Sequence, residues 1–131
     1  MGDRVSIQFV NGDRASVALF SHWDGMDFVK AATAFVKRLQ STKPVGGMSY
    51  PLDRLEPDTV ILEFFRVYYR DVEGNTPVRS NYYLGRDQNE GDNSDNGHWL
   101  IHLDDNGRAE RGATAWDERF EQWQKENGGG E

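Results

Sequence analysis

Two alternating runs separated by Asn11-Gly12 constrain this chain more than any other feature. Val5, Ile7 and Phe9 alternate with Arg4, Ser6 and Gln8, and Val17 and Leu19 alternate with Ser16 and Ala18. A period of two places one set on each face of a strand. An Asn-Gly pair between two such runs predicts a hairpin, because a type I′ turn needs positive φ at both central residues. The expected strands cover 4–10 and 14–21, and the remaining elements then have a sheet to pack against.

A helix over 25–40 follows from Phe28, Ala32, Phe35 and Leu39, which recur at helical spacing with Val29 and Val36 beside them. Asp24 is placed to cap it, and Asp27 complements its positive end. Pro44 and Gly46-Gly47 end the pattern. The segment 56–70 carries many residues of high strand propensity. Its polar positions decide otherwise: Glu56, Thr59, Glu63, Arg66 and Arg70 form one narrow wet stripe along a helix. Apolar residues cover the other sides, so this second helix is expected to run through the centre of the packing, with Pro57 in its first turn.

Strands are predicted over 80–87 and 98–104, joined by a polar hairpin loop. A turn follows at Asp104 to Gly107. Thr114 and Asp117 form a capping box for a last helix over 115–126. The expected order is ββααββα, and the expected class is α+β, an antiparallel sheet with helices packed on one face. A single domain is expected over 3–126, with a disordered tail at 127–131.

The chain of 131 residues has no cysteine, which excludes disulfides, thiolate zinc sites, iron–sulfur clusters and cysteine nucleophiles. The same absence favours the cytoplasm, and no apolar run is long enough to span a bilayer. The net charge of −7 disfavours sequence-independent nucleic-acid binding but suits a basic patch on another protein. P-loop, G-x-G-x-x-G, H-E-x-x-H and G-x-S-x-G signatures are missing.

Two places are candidates for chemistry. The first is Ser21-His22-Trp23-Asp24-Gly25, which brings an imidazole, an indole and a carboxylate to a helix start. The second is the loop 87–98. Asp87, Asn89, Asp92, Ser94, Asp95 and Asn96 supply the oxygens that Ca²⁺ or Mg²⁺ prefers. The loop copies the first half of an EF-hand, but Leu103 stands at the twelfth position where a bidentate glutamate is needed. His98 and His102 are separated by roughly 13 Å along a strand, too far to share a zinc ion. The aromatic seam Trp116, Phe120 and Trp123 docks either on its own domain or on a second copy.

The stretch Val17–Gly25, with its His-Trp-Asp-Gly tetrapeptide after a hairpin, resembles a set of small uncharacterised proteins from phages, prophages and archaea. The similarity extends through the Pro57–Tyr69 helix and the Asp92–Leu103 segment, about three quarters of the chain. Relatives carry a Tyr-Pro pair after the glycine where this chain has Met26-Asp27, so a pocket shaped by that pair is altered here. The resemblance implies a viral or mobile-element setting and a protein that binds a host component.

The expected function is non-enzymatic binding of a small molecule such as a nucleotide. His22, Trp23, Asp24 and Trp99 would form the pocket, and Arg86 would meet a phosphate. A protein–protein module or acidic decoy is one alternative. A hydrolase using Asp87, Asp92 and Asp95 on Mg²⁺, with His22 as base, is the other. A homodimer is compatible with all three.

Overall fold

β1 (Val5–Asn11) turns back into β2 (Arg14–Ala15), and the same stretch continues as β3 (Ala18–Ser21). In this computed structural model, which describes residues 2–41, 56–72 and 81–127, Asn11 pairs with Arg14. The central turn residues are therefore Gly12 and Asp13, of which Gly12 has a φ of 64° and Asp13 is not in the positive region. Positive φ at the first central position alone is the type II′ pattern, so the hairpin forms but not through the I′ turn expected. Nor is 14–21 one strand. Its register against β1 slips by one residue between β2 and β3, a β-bulge at Ser16 and Val17. Ser16 closes the bulge: its N–H donates to Phe9 O at 2.8 Å, and its Oγ accepts from Phe9 N–H at 3.0 Å.

α1 (Met26–Ser41) and α2 (Pro57–Val72) fall within two residues of the predicted helices. Glu56, Thr59, Glu63, Arg66 and Arg70 are all exposed, as the wet stripe requires. Both helices pack on the sheet face that carries Val5, Ile7, Phe9 and Ile101. Phe64 of α2 lies at the centre, with the rings of Phe9, Phe28, Phe35 and Tyr68 all within 5.7 Å of its own, centroid to centroid. Leu62 departs from the expected burial and is 70% exposed.

β4 (Tyr82–Gly85), β5 (His98–His102), a short 3-10 helix (Leu103–Asp105), β6 (Arg108–Gly112) and α3 (Ala115–Glu126) complete the described elements. The strand order is β4-β3-β1-β5-β6, with β2 pairing only β1. The sheet of six strands is mostly antiparallel, but β1 and β5 run parallel, with Ser6 opposite His98 and Phe9 opposite Ile101. This corrects the all-antiparallel expectation. It also corrects the reading of 87–98 as a hairpin loop. β3 and β1 lie between β4 and β5, so residues 86–97 form a crossover that passes over the sheet. Parallel strands cannot be joined by a tight turn.

β6 was not expected, because Arg108-Ala109-Glu110-Arg111-Gly112 lacks apolar alternation. It returns from β5 through the predicted turn. α3 begins at the predicted capping box: Asp117 N–H donates to Thr114 Oγ1 and Thr114 N–H to Asp117 Oδ2, both at 3.1 Å. The side chains of Trp116 and Phe120, and the tail beyond Asn127, lie outside the described residues. No helix among the described residues is long and apolar enough to cross a membrane.

Candidate functional site

β1 and β5 start, and β3 ends, at one end of the sheet, and this brings the two sequence candidates together. The strap between them is Asp3-Arg4. Asp3 N–H donates to His22 O (2.8 Å) and Gly25 N–H to Asp3 O (2.9 Å), which binds the strap to the His-Trp-Asp-Gly junction. Asn96 N–H donates to Arg4 O (2.9 Å), and Arg4 N–H to Asp95 Oδ2 (2.9 Å), which binds it to the crossover. On the junction, Asn81 Oδ1 accepts from the N–H groups of His22 (2.8 Å) and Trp23 (3.0 Å). The Asp24 carboxylate accepts from Tyr82 O–H at 2.6 Å. The residue directly before α1 is Gly25, so Asp24 ties the junction to β4 from one position further back. His22 is half-buried with its ring against Trp23 at 4.3 Å, and Trp23 is 53% exposed.

Gly25 has a φ of 59°, and a Cβ there would lie 2.2 Å from Asp3 Oδ2. Gly25→Ala is therefore expected to destabilise the fold by about 1–3 kcal/mol, through left-handed backbone strain and displacement of Asp3. Thermal melting checks this, and an unchanged midpoint would show that the strap does not hold the junction.

Two residues expected in the pocket are elsewhere. Arg86 follows Gly85, which pairs with Ala18, whereas His22 follows Ser21, which pairs with Tyr82. Arg86 thus lies at the opposite end of β4, roughly 10 Å away along the strand, and its guanidinium binds Glu90 at 2.9 Å. Trp99 packs against the helix-side core and donates its indole N–H to Asn96 O at 2.9 Å.

Side-chain oxygens of Asp87, Asn89, Asp92 and Asp95, proposed for a cation, have protein partners. Arg4 Nε lies 3.2 Å from Asp92 Oδ2 and Arg4 Nη1 3.5 Å from Asp95 Oδ2. Asp87 Oδ1 accepts from Asn89 N–H, Asp92 Oδ1 from Ser94 N–H, and Asn89 Oδ1 from Ala115 N–H of α3. Asn96 Nδ2 donates to Asp3 Oδ1. Burial opposes ionisation of Asp92, but hydrogen bonds from Ser94, with Arg4 and His22 nearby, hold its carboxyl below the usual range. Arg4 supplies the positive charge that the sequence reading gave to an ion. Among the described residues, no three His, Asp or Glu side chains are grouped to hold a metal.

Beneath the crossover lies a buried polar chain that sequence reading missed. Asn93, Ser6, His98, Gln8 and Ser16 are all at most 8% exposed. Asn93 Nδ2 donates to Ser6 Oγ (2.8 Å), and Gln8 Nε2 donates to Ser16 O (2.6 Å). Gln8 Oε1 is then the acceptor for His98 Nε2 at 2.7 Å, so that nitrogen carries the proton. His98 Nδ1 accepts from Ser6 O–H, also at 2.7 Å. Every bond in the chain points one way, which fixes a neutral imidazole. Burial lowers its pKa to about 4, with Asp87 opposing weakly. A serine within reach of a histidine resembles a nucleophile and its base. Here both are sealed, so no substrate atom reaches Ser6 Oγ in this fold.

A further concavity adjoins both candidates through β4: Tyr82 and Tyr83 are among its lining residues, and their hydroxyls meet the Asp24 carboxylate and the Asp92 N–H. Val17, Leu19, Ile61, Leu62, Phe65 and Leu84 line a cleft of about 300 Å³ between α2 and strands β3 and β4. Its rims are Leu62 and Leu84, 70% and 60% exposed. Asp58 stands at one end, its Oδ1 accepting from Val17 N–H at 2.9 Å. β4 is the terminal strand in the described sheet order, and its Tyr82, Tyr83 and Leu84 line the cleft. The signal in the sequence was Leu62, an apolar residue next to Glu63 of the wet stripe. Against known proteins, the chain matches no family model, no curated protein and no solved structure, so its function must be read from this geometry.

Proposed function

We propose that this protein is a non-enzymatic binding module, and that the cleft between α2 and the β3–β4 edge receives an extended apolar segment of a partner protein. One observation carries the reading: an apolar hollow with two exposed leucines on its rim adjoins a terminal strand. Such an edge offers N–H and C=O groups to an added strand, and the hollow beside it takes alternate side chains. The net charge of −7 favours a segment with cationic flanks.

Two probes test it. Anilinonaphthalene sulfonate reports the hollow, and a peptide of alternating leucine and threonine flanked by lysines reports the edge. The native protein is expected to enhance the dye's fluorescence, and the peptide to slow hydrogen exchange at Tyr83 and Leu84. Leu84→Glu is expected to weaken both by about tenfold or more, since it places a charge against apolar walls. Absence of both signals, or their persistence in Leu84→Glu, would refute the reading.

The exposure of Trp23 beside His22 favours a second reading, in which this pair stacks on a planar ligand such as a nucleobase. A nucleotide titration that shifts the His22 ring resonances would support it. Arg86 has no part in that version.

A further inference from the structure

Apart from Asp58, only aliphatic and aromatic side chains line the cleft between α2 and the β3–β4 edge. Asp58 lies beside Val17, the residue before Ala18, and Ala18 pairs with Gly85, so this carboxylate marks the Gly85 end of β4. The other charges at that end are balanced: Arg14 holds Glu56 at 2.7 Å, and Arg86 holds Glu90 at 2.9 Å. Asp58 is exposed and has no cationic partner among the described residues. Its Oδ1 accepts the Val17 N–H, which fixes the carboxylate in place without neutralising it. The edge of β4 is oriented for pairing. His22 N–H donates to Asn81 O at 2.9 Å, so the hydrogen-bonded pairs of this ladder fall at Asn81, Tyr83 and Gly85. Leu84, between the last two, turns its own N–H and C=O away from β3.

Taking the cleft as the binding site proposed above, we infer that the segment it receives carries a lysine or arginine at the one end that lies against Asp58. This carboxylate then sets the register and direction of the added strand. A slip by one residue turns the segment's apolar side chains away from the cleft. A slip by two restores them, so apolar alternation alone does not choose between registers. A cation at one end does, because a single register brings it to Asp58. The net charge of −7 attracts cations at either end of the segment alike, whereas contact with Asp58 acts at one end only. The carboxylate stands at the exposed end of the cleft, where an ion pair adds little affinity, so Asp58 selects among segments more than it tightens them.

Three end-capped peptides of alternating leucine and threonine test this by fluorescence anisotropy against the full chain. One has no lysine, one has a single lysine before the first leucine, and one has it after the last. The two lysine peptides carry the same charge, and one is expected to bind about threefold to fivefold tighter than the other. Asp58→Asn keeps an oxygen for the Val17 N–H and removes the charge. It is expected to make the two lysine peptides equal and to leave the lysine-free peptide within about twofold. Equal affinity of the two for the native protein overturns the inference, and so does a difference that survives Asp58→Asn. Leu84→Glu separates this from the cleft reading itself. Peptides that bind, and that lose binding in Leu84→Glu, without discriminating the lysine's position remove the role of Asp58 and leave the cleft reading standing. Absence of binding by all three peptides refutes both.

Discussion

Phe64→Ala is expected to remove about 3–5 kcal/mol of stability, the range for emptying a large aromatic site in a packed core. Phe64 is 1% exposed and touches rings from β1, α1 and its own helix. No single neighbour can collapse into the space, because the four rings are held by three elements: Phe9 by β1, Phe28 and Phe35 by α1, and Tyr68 by α2. The edge-to-face pairs with Phe9, Phe28 and Phe35 add their own contribution beyond area. Domains of this size are stabilised by roughly 5–15 kcal/mol, so the variant should unfold at much lower urea concentration or fail to fold. A loss below about 1 kcal/mol would mean that α2 is not seated on the sheet.

Mild acid is expected to destabilise the protein through His98. In the folded state its pKa is about 4, against 6.5 for an unperturbed histidine. The unfolded chain therefore binds more protons between these values, and stability must fall as pH drops through that window. Above about 6.5 the neutral ring is present in both states and there is no penalty. The penalty grows toward pH 4, where it levels at about 3 kcal/mol. The carboxyls of Asp92 and Asp117, held low by their partners, lose their contribution only below the ordinary carboxylate range. The two effects are thus separated along the pH axis. Urea titrations from pH 7 to pH 4, repeated on His98→Gln, isolate the histidine. The slope in that interval should flatten in the variant, and an equal slope in both proteins would assign the effect elsewhere.

The helices were legible in the sequence because a wet stripe is a strong constraint. Glu56, Thr59, Glu63, Arg66 and Arg70 allow one periodicity, and the structure exposes all five. The capping box at Thr114 was legible for the same reason, since two residue types at one spacing satisfy two donors. The sheet's connectivity was not. Asn, Asp, Gly and Ser between two strands are the composition of a turn, and composition does not distinguish a turn from a crossover that lies on the sheet. Ser6, Gln8 and His98 show why. Alternation marks them as the polar face of a strand, and the ordinary inference is that polar means wet. Here the crossover covers that face and Asn93 Nδ2 donates to Ser6 Oγ, so polar side chains are buried together, while Asn93 Oδ1 is left buried without a hydrogen-bond partner. The candidate site was half legible. The His22 junction and the acidic loop do meet, but through Asp3 and Arg4, which look like an ordinary strand lead-in. The cleft was hidden because it depends on where α2 ends up relative to β4.

The margins of the described sheet differ in kind. β6 presents Arg108, Glu110 and Arg111, charges that discourage another strand from approaching, while Tyr82-Tyr83-Leu84-Gly85 of β4 presents none. Growth of a filament by sheet stacking needs two receptive margins on every subunit, so that each addition exposes the next. Of the β4 and β6 margins, only β4 is without charge. A strand added at β4, as proposed above, would end the process there, because the charged β6 margin does not offer the next addition.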